Sequence, residues 1–204
     1  MTATTRRTTP DTGTFDPGTH TYRLASDGSR VQSVTQVLNA ILPGWQAGEW
    51  YLQRGQAVHA CASYMARGIP FDHDMAIDGQ VTALRRFFRE IAPEVISVEE
   101  PLFSNRYGYA GTPDLIATIG GKTMIVDWKA SIPATLPYQL AAYGLLANVK
   151  YGVGVHIRDD GIYKMTDVYA LKRYQPEWLA MRTTYGVMER LGAIKEPKQE
   201  RDDG

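Results

Sequence analysis

Residues 107–143, YGYAGTPDLIATIGGKTMIVDWKASIPATLPYQLAAY, decide the fold. TPDLIATI and KTMIVDWKA are β-prone runs separated by Gly120-Gly121, a dipeptide that accepts the positive φ angles of a two-residue hairpin turn. If those glycines are the whole loop, Ile119 faces Lys122 and Asp114 faces Asp127. Side chains alternate along a strand, so Asp114, Asp127 and Lys129 project from one side of the ladder. After DWK, Pro133 and Pro137 hold a loop. Tyr138 to Val149 then reads as an Ala/Leu-rich helix on which Gln139 and Tyr143, four apart, share a face.

Two carboxylates directly opposite one another repel, and a purely structural hairpin gains nothing from the pairing. A divalent cation between them reverses the sign. Mg²⁺ takes oxygen ligands and is commonly held by one or two carboxylates with water and phosphate. Lys129 stands beside such an ion, placed to offset phosphate charge or to lower the pKa of an attacking water. The alternative is a solvated hairpin face carrying three charges.

GTPDL, then DWK thirteen positions after its Asp, then Gln139-x-x-x-Tyr143, resembles the PD-(D/E)XK nuclease superfamily. The resemblance is closest to the RecB-like exonuclease branch, and it spans about residues 30 to 175. In that branch a His on an upstream helix joins the acids as a metal ligand, and Arg54-Gly55-Gln56-Ala57-Val58-His59 looks like that motif. The resemblance implies an α/β fold with a restriction-endonuclease-like core: helix, three-stranded meander, helix, strand, in a mixed central sheet flanked by helices. An N-terminal β-hairpin and a C-terminal helix are added to that core. It further implies a metal-dependent DNA exonuclease using Mg²⁺, with Mn²⁺ as substitute. His59, Asp114, Asp127 and the Trp128 carbonyl are the implied ligands, and one of Glu99 or Glu100, with Glu99 favoured by the family pattern, is a further acidic candidate upstream. Asp114, Asp127 and Lys129 are the implied catalytic groups, with Gln139 and Tyr143 touching DNA or ordering the lysine. Arg54 is a candidate DNA contact. The implied partners are DNA, single-stranded or with free ends, and a strand-annealing or single-strand-binding protein, in phage or bacterial recombination, repair or DNA processing. A structure-selective or nicking endonuclease on the same fold is the nearest rival. A non-catalytic nucleic-acid-binding protein is the other, and such a protein is expected to have lost an acid or the Lys, all of which are present here.

The chain has 204 residues, 44% of them hydrophobic and 22% charged, with a formal net charge of zero. The length suits one domain, expected over residues 14–192, between a disordered Thr-rich lead (1–13) and a disordered charged tail (193–204). Zero net charge argues against a basic coat for long duplex DNA, while leaving room for one basic groove. No apolar run approaches the ~18 residues of a membrane span, and no signal-peptide pattern opens the chain, so a cytoplasmic protein is expected. A single cysteine, Cys61, rules out an intrachain disulfide and a four-Cys iron–sulfur cluster. Its Ala neighbours suggest a buried helical position.

FDPGTHTYRL and SRVQSV read as two strands joined around Asp27-Gly28, with His20 a polar strand residue. Ser33 caps a short helix, VTQVLNAIL, that Pro43-Gly44 ends. Ala47 to Arg67 reads as a helix closed by Gly68, with Tyr51, Gly55 and His59 on one face. A lone His on such a face is otherwise a satisfied core histidine. Asp72, His73 and Asp74 fall in a surface loop. A helix from Gly79 to Ile91 carries Arg85, Arg86 and Arg89, either a solvated face or a phosphate contact. EVISVEEPLFS reads as one strand, YGVGVHIRDD and GIYKMTDVYAL as two more around Asp160-Gly161 with His156 structural, and Pro176 to Leu191 as a closing amphipathic helix. No nucleotide-binding loop, zinc motif or Ser/Cys–His arrangement is present.

Overall fold

The structure, a computed structural model, describes residues 11–42 and 48–194. The expected lead and tail lie outside these apart from their inner ends, as does Pro43-Gly44. Within the lead, Thr12 accepts a backbone bond from Ala25, Asp11 accepts two hydrogen bonds from Asn105, and Gly13 already belongs to a strand.

The hairpin forms as the sequence dictates. Strands β7 (Leu115–Ile119) and β8 (Lys122–Lys129) pair antiparallel with Ile119 opposite Lys122 and Leu115 opposite Val126. Gly120 and Gly121 take φ of 55° and 74°, the left-handed values that make Gly-Gly the fitting turn. Strand β4 (Glu94–Val98) lines the far side of β7, and helix α4 (Leu136–Ala147) crosses from β8 to β9 (Tyr151–Ile157), which runs parallel to β8. Strands β10 (Tyr163–Met165) and β11 (Tyr169–Ala170) both pair with β9. The resulting six-stranded mixed sheet, ordered β10-β9-β8-β7-β4, contains the restriction-endonuclease-like core.

Alternation along β8 divides two cores. Met124, Val126 and Trp128 face helices α2 (Glu49–Arg67) and α3 (Asp78–Ile91), where Phe87 meets the Trp128 ring edge-on at 5.0 Å. Ile125 faces α4 together with α1 (Val34–Ile41) and α5 (Gln175–Arg190), around fully buried Leu140 and Trp178. The helix ends follow local rules. Ser33 and Gln36 form a capping box at α1, and Gly68 closes α2 at φ 66°. Pro137 lies inside the first turn of α4 rather than in the preceding loop, because a helix's first turn does not need its N–H.

The N-terminal part is larger than the expected hairpin. Strands β1 (Gly13–Asp16), β2 (Thr21–Leu24) and β3 (Arg30–Ser33) join β6 (Tyr109–Gly111) and β5 (Leu102–Ser104) in a second sheet, ordered β1-β2-β3-β6-β5. EVISVEEPLFS is therefore two strands in two sheets, broken at Glu99, which adopts φ 51°. His20 sits in the β1–β2 turn at φ 49° rather than in a strand.

Candidate active site

The site forms where β8 ends. Asp127 and Lys129 project from its α4 face, and Asp114 stands immediately before β7. Asp127 is 1% exposed. Its Oδ2 meets Lys129 Nζ in a close, charge-assisted ion pair. Asp114 divides its oxygens. Oδ1 lies 3.1 Å from His59 Nδ1, and Oδ2 accepts the Trp128 N–H at 2.9 Å. One backbone bond thus ties Asp114 to the strand that carries Asp127 and Lys129, while α2 brings His59 in from the opposite sheet face.

The electrostatics follow from burying two acids beside two bases. Burial and the neighbouring Asp114 charge outweigh Lys129 and push the Asp127 carboxyl up to about 6. Burial works against ionised Asp114 as well, yet the charge and hydrogen bond of His59, with Lys129 and the Trp128 N–H, hold it below the usual carboxylate range. For His59 and Lys129 burial favours the neutral base. The adjacent carboxylates overcome it, so both sit above their ordinary values. One acid is therefore held in its ionised form while its neighbour is shifted toward neutral pH.

Helix α4 closes the site. Gln139 Nε2 donates to the Tyr143 hydroxyl at 3.3 Å, and both side chains are buried. Burial first, then the Asp127 charge, raises the Tyr143 phenol well above its ordinary value, so it stays a hydrogen-bond donor. Gly111 leaves room for its ring, since a Cβ there would lie 2.7 Å from Tyr143 Cε1.

Among the described residues, no three His, Cys, Asp or Glu groups stand close enough to enclose a metal ion as they are placed. His59 and Lys129 instead hold the two carboxylates. The donor set still fits a hard divalent cation: a buried and a half-buried carboxylate beside an imidazole, the buried one held only by the Lys129 ammonium. Lys129 is on a flexible stem, so its ammonium can give up Asp127 without backbone movement.

The other expected residues are spread around this cluster. Glu99 donates its N–H to the Asp114 carbonyl at 3.2 Å, turns its carboxylate to Arg67 at 3.7 Å, and shares a shallow cleft with Gln56 and His59. Arg54 lines a cavity adjoining His59 and Lys129. Arg85, Arg86 and Arg89 lie on α3 outside that cavity, Arg86 and Arg89 being ion-paired with Glu90. His73 pairs with Asp78 in its surface loop, and Cys61 is buried.

The same cavity is lined by Gln80, His156 and Arg158, which sequence reasoning did not bring to the site. His156 lies opposite Lys129 across the parallel β8–β9 ladder, a pairing fixed by the α4 crossover. Gln80 had a readable signal. It occupies the apolar stripe of α3 with Leu84 and Phe87, at helical spacing where an amide has no packing reason to be.

No protein-family model and no curated protein matches the sequence. Among solved structures, the chain is similar to an alkaline exonuclease (LHK-Exo) from Laribacter hongkongensis at 12% identity and TM-score 0.39, over 79% of this chain and 92% of that one. The same exonuclease in complex with dAMP gives 14% identity and TM-score 0.36, over 80% and 93%. SSO0001 gives 11% and 0.37, over 80% and 85%. Likeness this loose adds nothing to the site. The class of protein is defined by the strand order and crossover described above: an α/β chain with a restriction-endonuclease-like core. No helix among the described residues is long and apolar enough to cross a membrane.

Proposed function

We propose that this chain is a metal-dependent deoxyribonuclease that hydrolyses phosphodiester bonds by direct attack of water, working from DNA ends. The observation that carries the reading is the pairing of half-buried Asp114 with fully buried Asp127 beside the end of β8, with Lys129 against one acid and His59 against the other. A purely structural sheet gains nothing from setting a buried carboxylate beside a half-buried one.

Asp114, Asp127 and His59 would hold Mg²⁺ or Mn²⁺, with the Trp128 carbonyl beside them and Glu99 on the outer edge. The ion supplies Lewis-acid polarisation of a phosphate and a lowered pKa for water. Lys129, released from Asp127, donates to the attacking water or to a phosphate oxygen, where its charge opposes the negative charge that builds up. Tyr143, kept protonated and oriented by Gln139, offers a second donor on the α4 side. Arg54 supplies charge for the flanking phosphate. Preference for ends over internal bonds rests on the RecB-like resemblance, as does a role in phage or bacterial recombination or repair beside a strand-annealing protein.

End-labelled linear single- and double-stranded DNA and circular single-stranded DNA, incubated with Mg²⁺, Mn²⁺ or EDTA, test the reading. Metal-dependent products from linear DNA that vanish with Asp127→Ala are expected. Cut circles would assign an endonuclease. No cleavage with either metal, with DNA binding intact, would make the protein a binder.

A further inference from the structure

Asp114 stands on a short bridge between the two sheets. Strand β6 ends at Gly111 in the second sheet, β7 begins at Leu115 in the six-stranded one, and Thr112-Pro113-Asp114 joins them. The bridge is stiff. Pro113 fixes its own φ and disfavours helical angles at Thr112, so little backbone freedom separates Thr112 from Asp114. On one side Gly111 is pinned, since a Cβ there would lie 2.7 Å from the Tyr143 ring and 2.9 Å from Val34 Cγ2. On the other, the Asp114 carbonyl accepts the Glu99 N–H.

The side chain of Thr112 is anchored from the second sheet. Its Oγ1 shares a hydrogen bond of 2.9 Å with the hydroxyl of Tyr22 on β2, 90 positions earlier in the chain. Tyr22 is 1% exposed and its ring is held on three sides. Phe15 stacks on it at 4.4 Å, while His20 and Phe103 meet it edge-on at 5.5 and 6.0 Å. Strand β1 presses on the same core, because a Cβ on Gly13 would lie 2.6 Å from the Phe103 ring. The Tyr22 phenol also lies within electrostatic reach of Tyr143, so its hydroxyl is turned toward the site. A buried tyrosine needs some partner for its hydroxyl, and a backbone carbonyl serves stability alone, as Ala142 does for Tyr109 at 2.9 Å. Tyr22 instead holds a side chain two residues before an acid of the site.

We propose that Tyr22 is a positioning residue for the metal centre: its hydroxyl, acting through Thr112, fixes where Asp114 presents its carboxylate. The second sheet thereby contributes to metal affinity, although none of its strands carries a ligand. A carboxylate already held in place loses less freedom when it takes up an ion, and contacts behind the ligands set metal affinity for this reason. Without the Tyr22 bond the bridge gains freedom, and the ion itself must order Asp114. The proposal rests on the nuclease reading's metal site and adds to it a residue remote from every motif in the sequence.

Isothermal titration with Mn²⁺, at a temperature where circular dichroism shows each variant folded, reads the site without DNA or cleavage. Tyr22→Phe and Thr112→Val each remove one hydroxyl and keep the side chain's shape. Each should weaken Mn²⁺ binding about three- to tenfold. The double variant should lose no more than Thr112→Val alone, because both changes break the same bond. Thr112→Ser keeps the hydroxyl and should bind Mn²⁺ as the parent does. The Mg²⁺ concentration that gives half-maximal cleavage should rise in step with the loss of Mn²⁺ affinity. Parental affinity in Tyr22→Phe, or in Thr112→Val should Tyr22→Phe not fold, overturns the proposal. So do losses that add in the double variant, or a Thr112→Ser protein as weak as Thr112→Val. Mn²⁺ uptake by the parent with unchanged affinity in Tyr22→Phe removes this proposal alone; a parent that takes up no Mn²⁺ removes the metal-dependent reading beneath it as well.

Discussion

Replacing Asp127 with Asn should make the metal-free protein more stable at neutral pH, although it removes a buried ion pair. Asp127 ionises at about 6 in the fold, against 3.8 for an ordinary aspartate. A raised folded pKa means that the native state holds a proton the unfolded chain has released. Stability is therefore lost as pH rises from 3.8 through 6. At about 1.36 kcal/mol per pH unit, the cost above pH 6 is about 3 kcal/mol. That figure already includes the attraction of Lys129, which is why removing the charge is a net gain. His59 acts in the same sense. Its raised pKa gives stability that is full below 6.5 and lost as pH rises through the folded value. Asp114, with its pKa lowered, gives stability that is present above 3.8 and is lost only in more acidic solution. Urea denaturation in EDTA at pH 7.5 and 5 should therefore show the parent more stable at pH 5. Asp127→Asn should exceed the parent by about 1–3 kcal/mol at pH 7.5, and by less at pH 5. Adding Mg²⁺ should raise the parent's stability and leave the variant where it was, since only the native parent has the site to gain from binding. A variant less stable than the parent at pH 7.5 in EDTA, with a parent indifferent to pH, would refute the reasoning.

At subsaturating Mg²⁺ the cleavage rate should fall on the acid side, because a proton on Asp127 competes with metal, and raising Mg²⁺ should move that fall to lower pH; steady-state rates at two Mg²⁺ concentrations check it. Lys129→Ala should lower the cleavage rate by about 10²-fold or more while isothermal titration still detects Mn²⁺ uptake. Gly79→Ala should cost about 1–3 kcal/mol in urea denaturation, because the new Cβ meets the Asp159 backbone rather than a side chain that can move aside. Gly55→Ala, whose Cβ enters open space in mid-helix, should instead gain up to about 1 kcal/mol.

The parts of this molecule legible in its sequence are those set by local geometry. Gly120-Gly121 fixed the register of β7 and β8, and the register put Asp127 and Lys129 on one face with Asp114 bonded across to Trp128. Ser33, Gly68 and the Asp27-Gly28 turn announced their own caps and bends. What stayed hidden depends on which distant strands meet. Nothing local in RVQS and YAG shows that β3 runs parallel to β6, and Glu99 gives no warning that it breaks one apparent strand into two. His156 reaches Lys129 only through a parallel pairing set by the α4 crossover, so no period in β9 reveals it. Spacing on α2 put His59 on a face without saying which acid it meets, and its bond to Asp114 is a tertiary fact.

The rate of cleavage of a labelled DNA strand, followed as Mg²⁺ is titrated into the parent and into Lys129→Ala, tests the central claim most directly. The parent rate should rise from zero in EDTA to saturation. The variant should saturate at no higher a Mg²⁺ concentration, since Lys129 no longer competes for Asp127, and at a plateau lower by about 10²-fold or more. Cleavage that persists in EDTA, or equal plateaus for the two proteins, would contradict a metal-dependent centre built on Asp114, Asp127 and Lys129.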